Sequence, residues 1–288
     1  MNVFLTGASG YVGRHVAQEL MARGHQVTGL ARKPSNRTSS PIEWCFADLE
    51  QYEDYRDALE SADCIVHCAM GYSDSGAEDV EADAAFVERA LASGNFLIYT
   101  GNLYSSRSLP DDVFKEELIH KPEDWRLQNE RLVLGSIAPA AVIRLGFVYG
   151  GEGGYLWPML PPEAAGGVDP NEIREAVWPM VQVQDVAALY AIVAETRATG
   201  VFHAYDGCAI TAREIIQTLQ EVYPPGQNAG ADAHEHINAL LTKSIRTTNS
   251  RSLAAGWKPA FSDFRDHAAA AYAQYLAYSR TLSGVNPG

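Results

Sequence analysis

Three glycines spaced three residues apart near the N-terminus are the residues of this chain best suited to a chemical role. Gly7, Gly10 and Gly13 follow an apolar run at 1–6 and precede an amphipathic stretch that closes at Gly24. A glycine-rich turn lets the backbone approach a pyrophosphate, and the free N–H groups of the following helix then bind the anion. The order strand, tight turn, helix therefore predicts a nucleotide-binding site in preference to a plain glycine turn.

Cations after the second apolar run bear on which dinucleotide such a site prefers. A carboxylate at the end of this strand hydrogen-bonds the free ribose 2′-hydroxyl of NAD, whereas cations accept the 2′-phosphate of NADP. Here Ala31 is followed by Arg32 and Lys33, with Arg37 nearby. Because a guanidinium matches phosphate oxygens, the pattern predicts NADP (NADPH) as the cofactor. The alternative interpretation is a solvated basic turn.

The cysteines and a neighbouring histidine raise the question of a metal site. Cys64, His67 and Cys68 are close in sequence, among four cysteines in the chain. Strand alternation places the two thiols on one face and the imidazole on the other, and the spacing fits neither a zinc knuckle nor a redox pair. We therefore expect no metal, and we interpret the cysteines as small buried residues in a reducing cytoplasm.

Strand-like and helical patterns alternate through the first half of the chain. After the first strand, further strands are predicted at Gln26–Ala31, Ile42–Phe46, Cys64–Ala69, Phe96–Thr100 and Ala141–Leu145. A helix between the fourth and fifth strands is indicated by an apolar face of Val80, Ala84, Val87 and Leu91. The alternation predicts an α/β fold with a Rossmann-like, doubly wound parallel sheet, whose ligands bind beyond the carboxyl ends of the strands.

The composition changes after Gly150 and divides the chain into two predicted regions. Residues 1–150 form the dinucleotide-binding core, and residues 151–288 mainly form a small C-terminal substrate-binding region and lid, with 181–206 returning to the core. The lid is predicted from the Gly- and Pro-rich segment 150–170, and a helix is predicted at 261–280. Four large apolar residues of this region have two interpretations: they line an aromatic, apolar pocket, or they pack in an ordinary core. These residues are Tyr155, Trp157, Met159 and Trp178.

Composition limits the partners. The 288 residues carry a formal charge of −14, with 47% hydrophobic and 20% charged residues. Such a charge argues against nucleic acid or anionic membranes as a main partner. Since there is neither an apolar run long enough to span a bilayer nor a secretion signal, we expect a cytoplasmic protein that binds a small-molecule substrate, and a homodimer is left open.

Four motifs in order resemble one family. Thr6-Gly7-x-x-Gly10-x-x-Gly13 is similar to the TGxxGxxG fingerprint of the short-chain dehydrogenase/reductase superfamily, in its extended, epimerase-like branch. The segment 143–150 resembles its R-x-x-x-V-Y-G, the segment 183–187 its V-x-D-V-A, and the segment 253–259 its L-G-W-x-P. The resemblance covers most of the chain and implies the Rossmann fold, although fold does not fix function.

The resemblance also implies which residues contact the cofactor. Asp48 and Leu49 take the place of the pair that meets the adenine, and the segment from His67 to Met70 takes the place of a backbone stretch lining the cofactor, which makes His67 a packing residue. The full set of expected cofactor residues is Gly7, Ser9, Gly10, Tyr11, Val12, Gly13, Arg32, Lys33, Asp48, Leu49, Ala69, Met70, Thr100 and Arg126.

The catalytic pair of the family is missing. The family passes a proton through a Tyr-x-x-x-Lys pair, but the residues four before the five lysines are Gly29, Asp111, Glu117, Ala239 and Ala254. The E-x-L-V pattern at 130–133 places Arg126 at the lysine position and Pro122 at the tyrosine position. A second register places Asn129 and Trp125 there.

The residues expected to act in its place are Asn102, Tyr104 and Arg126. Asn102 follows the fifth strand and can donate an amide hydrogen bond. Tyr104 is the nearest phenol, with a structural role in its loop as the alternative. Arg126 can bind ribose hydroxyls, but its high pKa makes it a poor proton carrier.

Three functions are compatible with these residues. The first is an atypical NADP-dependent reductase of a small apolar or aromatic acceptor, such as an iminium, a quinone-like compound or an activated alkene, which needs no enzyme phenol. The second is a non-catalytic NADP-binding sensor or regulator. The third is a sugar-nucleotide epimerase or dehydratase, and the missing tyrosine argues most strongly against this function.

Overall fold

The computed structural model describes residues 1–34, 42–69, 80–104, 115–117, 124–165, 168–173, 175–223, 235, 237–238, 241 and 244–282. The strands are β1 (Asn2–Thr6), β2 (Gln26–Ala31), β3 (Glu43–Phe46), β4 (Cys64–His67), β5 (Phe96–Asn102), β6 (Ala140–Leu145), β7 (Phe147–Tyr149), β8 (Val177–Gln182), β9 (Gly200–Ala204) and β10 (Ala209–Thr211). The helices are α1 (Tyr11–Ala22), α2 (Tyr52–Glu60), α3 (Val80–Ala92), α4 (Trp125–Gly135), α5 (Leu156–Met159), α6 (Pro162–Ala165), α7 (Val183–Thr196), α8 (Ala212–Val222), α9 (Ser250–Ala254) and α10 (Phe264–Leu282).

A parallel sheet of seven strands forms the centre of the molecule, in the order β3-β2-β1-β4-β5-β6-β9. The connections run outward in one direction from β1 to β3 and in the other from β4 to β9. In such a sheet the crevice for a ligand opens at the carboxyl ends of the strands where the order reverses. The predicted Rossmann-like, doubly wound fold is therefore confirmed.

Helices cover both faces of this sheet. Apolar side chains of α1 and α7 pack with one face, and those of α2, α3 and α4 pack with the other. The strands between them are nearly free of exposed side chains, as the burial of β4 and β6 illustrates. Both faces must be covered in a parallel sheet, which explains the continuous apolar runs in the sequence.

A small three-stranded sheet, in the order β10-β8-β7, lies beside the main one. It shares a second core with α5, α6, α8 and α10. A capping box fixes the start of α8, because the Thr211 hydroxyl accepts from the Glu214 N–H while the Glu214 carboxylate accepts from the Thr211 N–H. Between β8 and β10 the chain passes through the main sheet by way of α7 and β9.

The predicted strands agree with the structure to within two residues at each end, and Gln26–Ala31 agrees at both ends. The predicted apolar face of α3 is confirmed in part. Val87 is buried and Leu91 packs against the core, but Val80 is exposed. Ala82, Asp83 and Phe86 are buried as well, so the buried face is rotated from the predicted one. The pattern of aliphatic residues missed this rotation because a carboxylate belongs to the buried stripe.

Within the described residues, no helix combines the length and the apolar character needed to cross a bilayer.

Candidate active site

A cavity of 1080 Å³ lies along the carboxyl ends of the central strands. Its walls come from the β1–α1 turn, the ends of β2, β4 and β5, and the start of α4. The small sheet closes the far end through β7 and β8. The cavity therefore extends from the predicted nucleotide turn to the C-terminal region.

The glycines of the β1–α1 turn are required by close backbone packing. Gly7 has a φ of +68°, and a Cβ there would lie 2.7 Å from the Ala69 nitrogen. A Cβ on Gly13 would overlap the Gly7 carbonyl oxygen. The turn is closed by a hydrogen bond of 2.8 Å from the Gly10 N–H to that same oxygen. A side chain at Gly7 or Gly13 would therefore displace the backbone of the turn.

The start of α1 is free to bind an anion. Among the described residues no side chain caps it, and its first turn contains no acid. The predicted residues Ser9, Tyr11 and Val12 line the cavity here. The Tyr11 hydroxyl donates to the Gly150 carbonyl over 2.6 Å, and burial raises the pKa of this phenol. The Tyr11 hydroxyl therefore stabilises the 150–154 loop and does not serve as a proton donor to a ligand.

The other predicted cofactor residues divide into three groups. Those lining the cavity are Arg32, Asp48, Leu49, Ala69, Thr100 and Arg126. Lys33 is not among the lining residues. Met70 and Arg37 lie outside the described residues. The sequence thus identified a spatially continuous set, and the individual roles of its members stay predictions.

The structure places the residues expected to act in catalysis on the wall of the cavity. Asn102, Tyr104 and Arg126 all line it. The alternative register for α4 does not bring its residue there, because Asn129 is only 3% exposed and donates to Asp83 over 2.7 Å. Pro122 lies outside the described residues. The geometry favours the register that gives Arg126 the lysine position.

The described part of the cavity contains no phenol–ammonium pair. The lysines in the described residues are Lys33, Lys115 and Lys258, and none of them lines the cavity. Two of the phenols that line the cavity, Tyr104 and Tyr155, are 41% and 65% exposed. The arrangement can bind and orient a ligand, while a proton relay of the family type is missing from these walls.

Thr100 takes the place of a serine-type hydrogen-bond donor, but its hydroxyl already has hydrogen-bond partners within the protein. Its hydroxyl hydrogen-bonds the Tyr190 hydroxyl over 2.6 Å and the Cys68 sulfur over 3.4 Å. Burial raises the pKa of the Cys68 thiol to about 11, so the thiol stays protonated at neutral pH. This cluster gives the cavity floor a fixed, uncharged surface.

A buried polar network beneath the cavity was not predicted from the sequence. Thr6 Oγ1 accepts from the Ala69 N–H and hydrogen-bonds His67 Nδ1 over 2.7 Å, and His67 Nε2 hydrogen-bonds Asp83 Oδ1 over 2.9 Å. Asp83 Oδ2 accepts from Asn129 over 2.7 Å and from the Tyr99 hydroxyl over 3.1 Å. The network joins the strand before the glycine turn to α4.

The electrostatics of the network are set by Asp83. Burial raises the pKa of its carboxyl, but the His67 ring and the donors on Asn129 and Tyr99 outweigh this effect and hold the pKa below its usual value. The carboxylate is therefore ionised at neutral pH. The His67 ring packs against the rings of Phe86 and Tyr99, as expected of a packing residue. The one sequence signal for its hydrogen bond was Asp83, an acid on the buried face of α3.

The expectation that the cysteines and His67 hold no metal stays a prediction. Within the described ranges, no three His, Cys, Asp or Glu side chains gather as an ion would require. Cys64 packs with the α1 side of the sheet, and His67 faces α3 on the other side, as strand alternation predicts.

Residues of three family-like motifs form an ion pair and hydrogen bonds that stabilise the fold. Arg144 forms a buried ion pair with Glu130, with Nη2 and Oε2 2.6 Å apart. The Asp185 carboxylate accepts from the Ala260 and Phe261 N–H groups. The Trp257 indole N–H donates to the Asp185 carbonyl over 2.8 Å. These contacts hold α4 and the C-terminal segment on the main sheet.

The far end of the cavity is lined by aromatic rings, as one of the two readings of the lid residues expects. Tyr155, Met159 and Trp178 line it. Trp157 does not, because it is 2% exposed and packs in the second core, 5.1 Å from the Tyr272 ring. For Trp157 the core-packing reading therefore holds.

Comparisons with known proteins agree with this geometry. Residues 3–99 match the model of the NAD dependent epimerase/dehydratase family. The chain is 25% identical, over 92% of its length and 98% of the relative's, to a 3-diazoavenalumate denitrifying reductase from a Streptomyces species.

Two solved structures share the fold. UDP-glucose 4-epimerase from Thermus thermophilus, in complex with NAD, has a TM-score of 0.73 at 18% identity, with 96% of this chain and 99% of that chain covered. The human epimerase family protein SDR39U1 with NADPH has a TM-score of 0.67 at 18% identity, with 97% and 99% covered.

These findings confirm the resemblance inferred from the motifs. Residues 3–99 are similar to the NAD dependent epimerase/dehydratase family, and the whole chain shares the fold of the solved epimerase-like structures. The matched family is described as NAD dependent, and the two solved structures contain NAD and NADPH. The glycine turn and uncapped α1 described above fit such a cofactor.

Proposed function

We propose that this protein is an NADP-dependent reductase that acts on a small apolar or aromatic acceptor without a tyrosine–lysine proton relay. The observation that carries the proposal is an arginine on the cavity wall in a chain without the tyrosine–lysine pair. Arg126 lines the wall at the lysine position, and the sequence contains no Tyr-x-x-x-Lys anywhere. A guanidinium orients and neutralises charge but does not release a proton at neutral pH.

This combination limits the acceptors that the protein can serve. A reduced nicotinamide supplies a hydride when bound. General acid help is worth about 10²–10⁴-fold, so a plain ketone, which needs a proton on its oxygen, is a poor acceptor here. An iminium becomes a neutral amine on taking hydride alone, and quinone-like compounds and activated alkenes yield stabilised anions that water protonates.

The Streptomyces relative supports this class of chemistry. Its name describes a reductase that removes nitrogen from a diazo compound. A diazonium group on an aromatic ring that receives a hydride leaves as dinitrogen, and the balance requires no proton. An arenediazonium ion therefore belongs in the set of acceptors to be tested for this chain.

The preference for NADP is supported by the position of Arg32. It lines the cavity directly after Ala31, where a carboxylate would serve NAD. Lys33 is adjacent in sequence but does not line the cavity, which makes Lys33→Ala a matched control for Arg32→Ala. On the fold neighbours the cofactor differs, with NADPH on the human protein and NAD on the Thermus enzyme.

Fluorescence titration with NADPH and NADH tests the cofactor. The wild type should bind NADPH more tightly, and Arg32→Ala should weaken NADPH by about 10- to 100-fold, the value of a lost charge-assisted bond, with little effect on NADH. Lys33→Ala should change neither by as much. Tighter binding of NADH by the wild type would refute the argument from Arg32.

Oxidation of NADPH, followed at saturating protein, tests turnover. The acceptors are an iminium salt, a naphthoquinone, an enone, an arenediazonium salt and a plain ketone. We expect turnover of at least one of the first four and little with the ketone. Arg126→Ala should weaken NADPH binding or turnover, and Arg131→Ala, on the same helix but not lining the cavity, is its control.

A non-catalytic NADP-binding sensor is the second candidate, and the same missing pair favours it. Intact NADPH binding with no oxidation by any acceptor would establish that reading. A sugar-nucleotide epimerase is the third candidate, and conversion of UDP-glucose by the wild type would support it.

A further inference from the structure

A loop at 150–154, between β7 and α5, consists of four glycines and one glutamate. Gly150, Gly151 and Gly154 have φ angles of +86°, +61° and +105°. Glycine is the residue with the greatest backbone freedom, so the conformation of this loop depends on the surfaces that it contacts. Tyr155 follows the loop directly, lines the cavity and is 65% exposed. Its position is therefore set by the loop backbone rather than by burial of its ring.

The surface that the loop contacts is the beginning of α1. The Tyr11 hydroxyl donates to the Gly150 carbonyl over 2.6 Å. A Cβ on Gly153 would lie 2.8 Å from Cδ2 of the Tyr11 ring, and a Cβ on Gly151 would lie 2.7 Å from His15 Nε2. Neither position has room for a methyl group, so the loop backbone lies directly against these side chains.

Tyr11 makes the strongest polar contact between α1 and the loop. Another polar contact is weak, because Arg14 Nη2 and Glu152 Oε2 are 3.9 Å apart and the Glu152 side chain is 62% exposed. Exposed ion pairs contribute little to stability. The Tyr11 bond is part-buried and 2.6 Å long, so Tyr11 is the residue through which α1 holds the loop.

Tyr11 also belongs to the nucleotide turn. It is the first residue of α1, and it lines the cavity. The first turn of a helix frays when its N–H groups lack partners, and no side chain in the described residues caps α1. An anion bound there supplies the missing partners and orders this turn. The side chain that holds the loop is thus part of the turn that a dinucleotide orders.

We propose that Tyr11 couples the two ends of the cavity. A dinucleotide bound at the start of α1 orders the 150–154 loop through Tyr11, and the ordered loop places Tyr155 on the wall that receives the acceptor. Coupling between two sites is reciprocal, so the acceptor binds more tightly to the protein that holds the dinucleotide. The proposal rests on the proposed function for the dinucleotide in the cavity, and it goes beyond that function by making Tyr11 a positioning residue.

Amide hydrogen exchange of peptides covering 150–154 tests the coupling without any turnover. Exchange is measured without ligand and at saturation with NADP⁺ or with NAD⁺, and the measured quantity is the ratio of the two rates. The variants are Tyr11→Phe, which removes only the hydroxyl, and Gly153→Ala, whose φ is not positive and whose new Cβ collides with the Tyr11 ring. The control is Glu152→Gln, which removes the other polar contact of the same loop. Fluorescence titration of each variant sets the saturating concentration.

We expect the dinucleotide to slow exchange in the wild-type loop about tenfold, a common size for coupling between two sites. In Tyr11→Phe the slowing should fall to about twofold, because one hydrogen bond is worth about fivefold. Gly153→Ala should lose as much, and Glu152→Gln should keep the wild-type ratio. A purely structural role of Tyr11 would change both rates alike and leave their ratio unchanged. Tyr11→Phe keeps the ring, so the test stays valid even if Gly153→Ala folds poorly.

Three results would overturn the proposal: a bound dinucleotide that leaves loop exchange unchanged in the wild type, wild-type slowing in Tyr11→Phe, or an equal loss in Glu152→Gln. Its failure is distinguishable from that of the reductase function. Tyr11-dependent slowing with no NADPH oxidation by any acceptor supports the coupling and removes the reductase. Turnover with a loop that does not respond to the dinucleotide does the reverse, and binding of neither dinucleotide removes both.

Discussion

Replacing Asp83 with leucine removes the acceptor at the centre of the buried network while keeping nearly the same shape. Asp83 is 2% exposed, and its carboxylate accepts from His67, Asn129 and Tyr99. Each buried donor left without a partner costs about 1–3 kcal/mol. The imidazole can shift its proton to the nitrogen facing Thr6, which leaves two orphaned donors and a loss of about 4 kcal/mol.

Asp83→Asn is the matched variant. Its amide oxygen can still accept from Asn129 and Tyr99, and its NH₂ can donate to His67 after the same tautomer shift. We expect a loss of only about 1 kcal/mol for Asn, against about 4 kcal/mol for Leu. At about 2–4 °C per kcal/mol, the leucine variant should melt about 10 °C lower than the wild type.

Thermal melts followed by circular dichroism measure this difference, and NADPH titration measures its effect on the site. Because the network ties Thr6 and Ala69 to α4, NADPH affinity should fall in the leucine variant and be nearly kept in the asparagine variant. A leucine variant melting within about 3 °C of the wild type would contradict the counting of orphaned donors. Equal losses in both variants would show that the charge, and not the hydrogen bonds, matters.

The pH dependence of the same pair follows from the lowered pKa of Asp83. A carboxyl whose folded pKa is lowered stabilises the protein above its unfolded pKa, and this contribution is lost as the pH falls through the folded value. The difference in stability between the wild type and Asp83→Asn should therefore shrink below about pH 4. A constant difference down to pH 3 would contradict the assignment.

Two further predictions concern the glycine turn and a second buried acid. Gly13→Ala should weaken NADPH binding by about 100-fold, because the new Cβ overlaps the Gly7 carbonyl and moves the turn by about 1 Å. Gly135→Ala is the control, since a Cβ at that position meets nothing within 4 Å. Equal NADPH titrations of the two variants would refute the overlap. Burial raises the pKa of Asp206 to about 8, so its ionisation destabilises the fold as the pH rises from about 4 to 8. Asp206→Asn should therefore raise the melting temperature at pH 8 and change it little at pH 4; a rise at both would contradict the raised pKa.

The nucleotide half of the site could be predicted because it depends on local rules. Gly7, Gly10 and Gly13 are neighbours along the chain, so their spacing shows directly where the backbone must approach a ligand. Arg32 and Asp48 follow strands whose carboxyl ends share one edge of a parallel sheet. Knowing the fold class was enough to bring these residues to the same cavity.

The acceptor half depends on contacts between distant parts of the chain. Sequence patterns grouped Trp157 with Tyr155 and Met159, yet in one helical turn the side chains point in different directions and Trp157 enters the second core. Phe147 was missed, because only the small sheet brings it to within 5.2 Å of Trp178. No local pattern reveals which of two faces a short strand turns to a cavity.

The sequence by itself determined the fold, the glycine turn and the loss of the Tyr-x-x-x-Lys pair, since each is written in consecutive or regularly spaced residues. Only the tertiary structure decided which residue of α4 lines the cavity. Asn129 is buried because it donates to the Asp83 carboxylate, 46 residues away in sequence, whereas Arg126 lies on the cavity wall. Hydrogen bonds of buried polar groups must be satisfied by whatever is near in space, and that partner cannot be read from the chain.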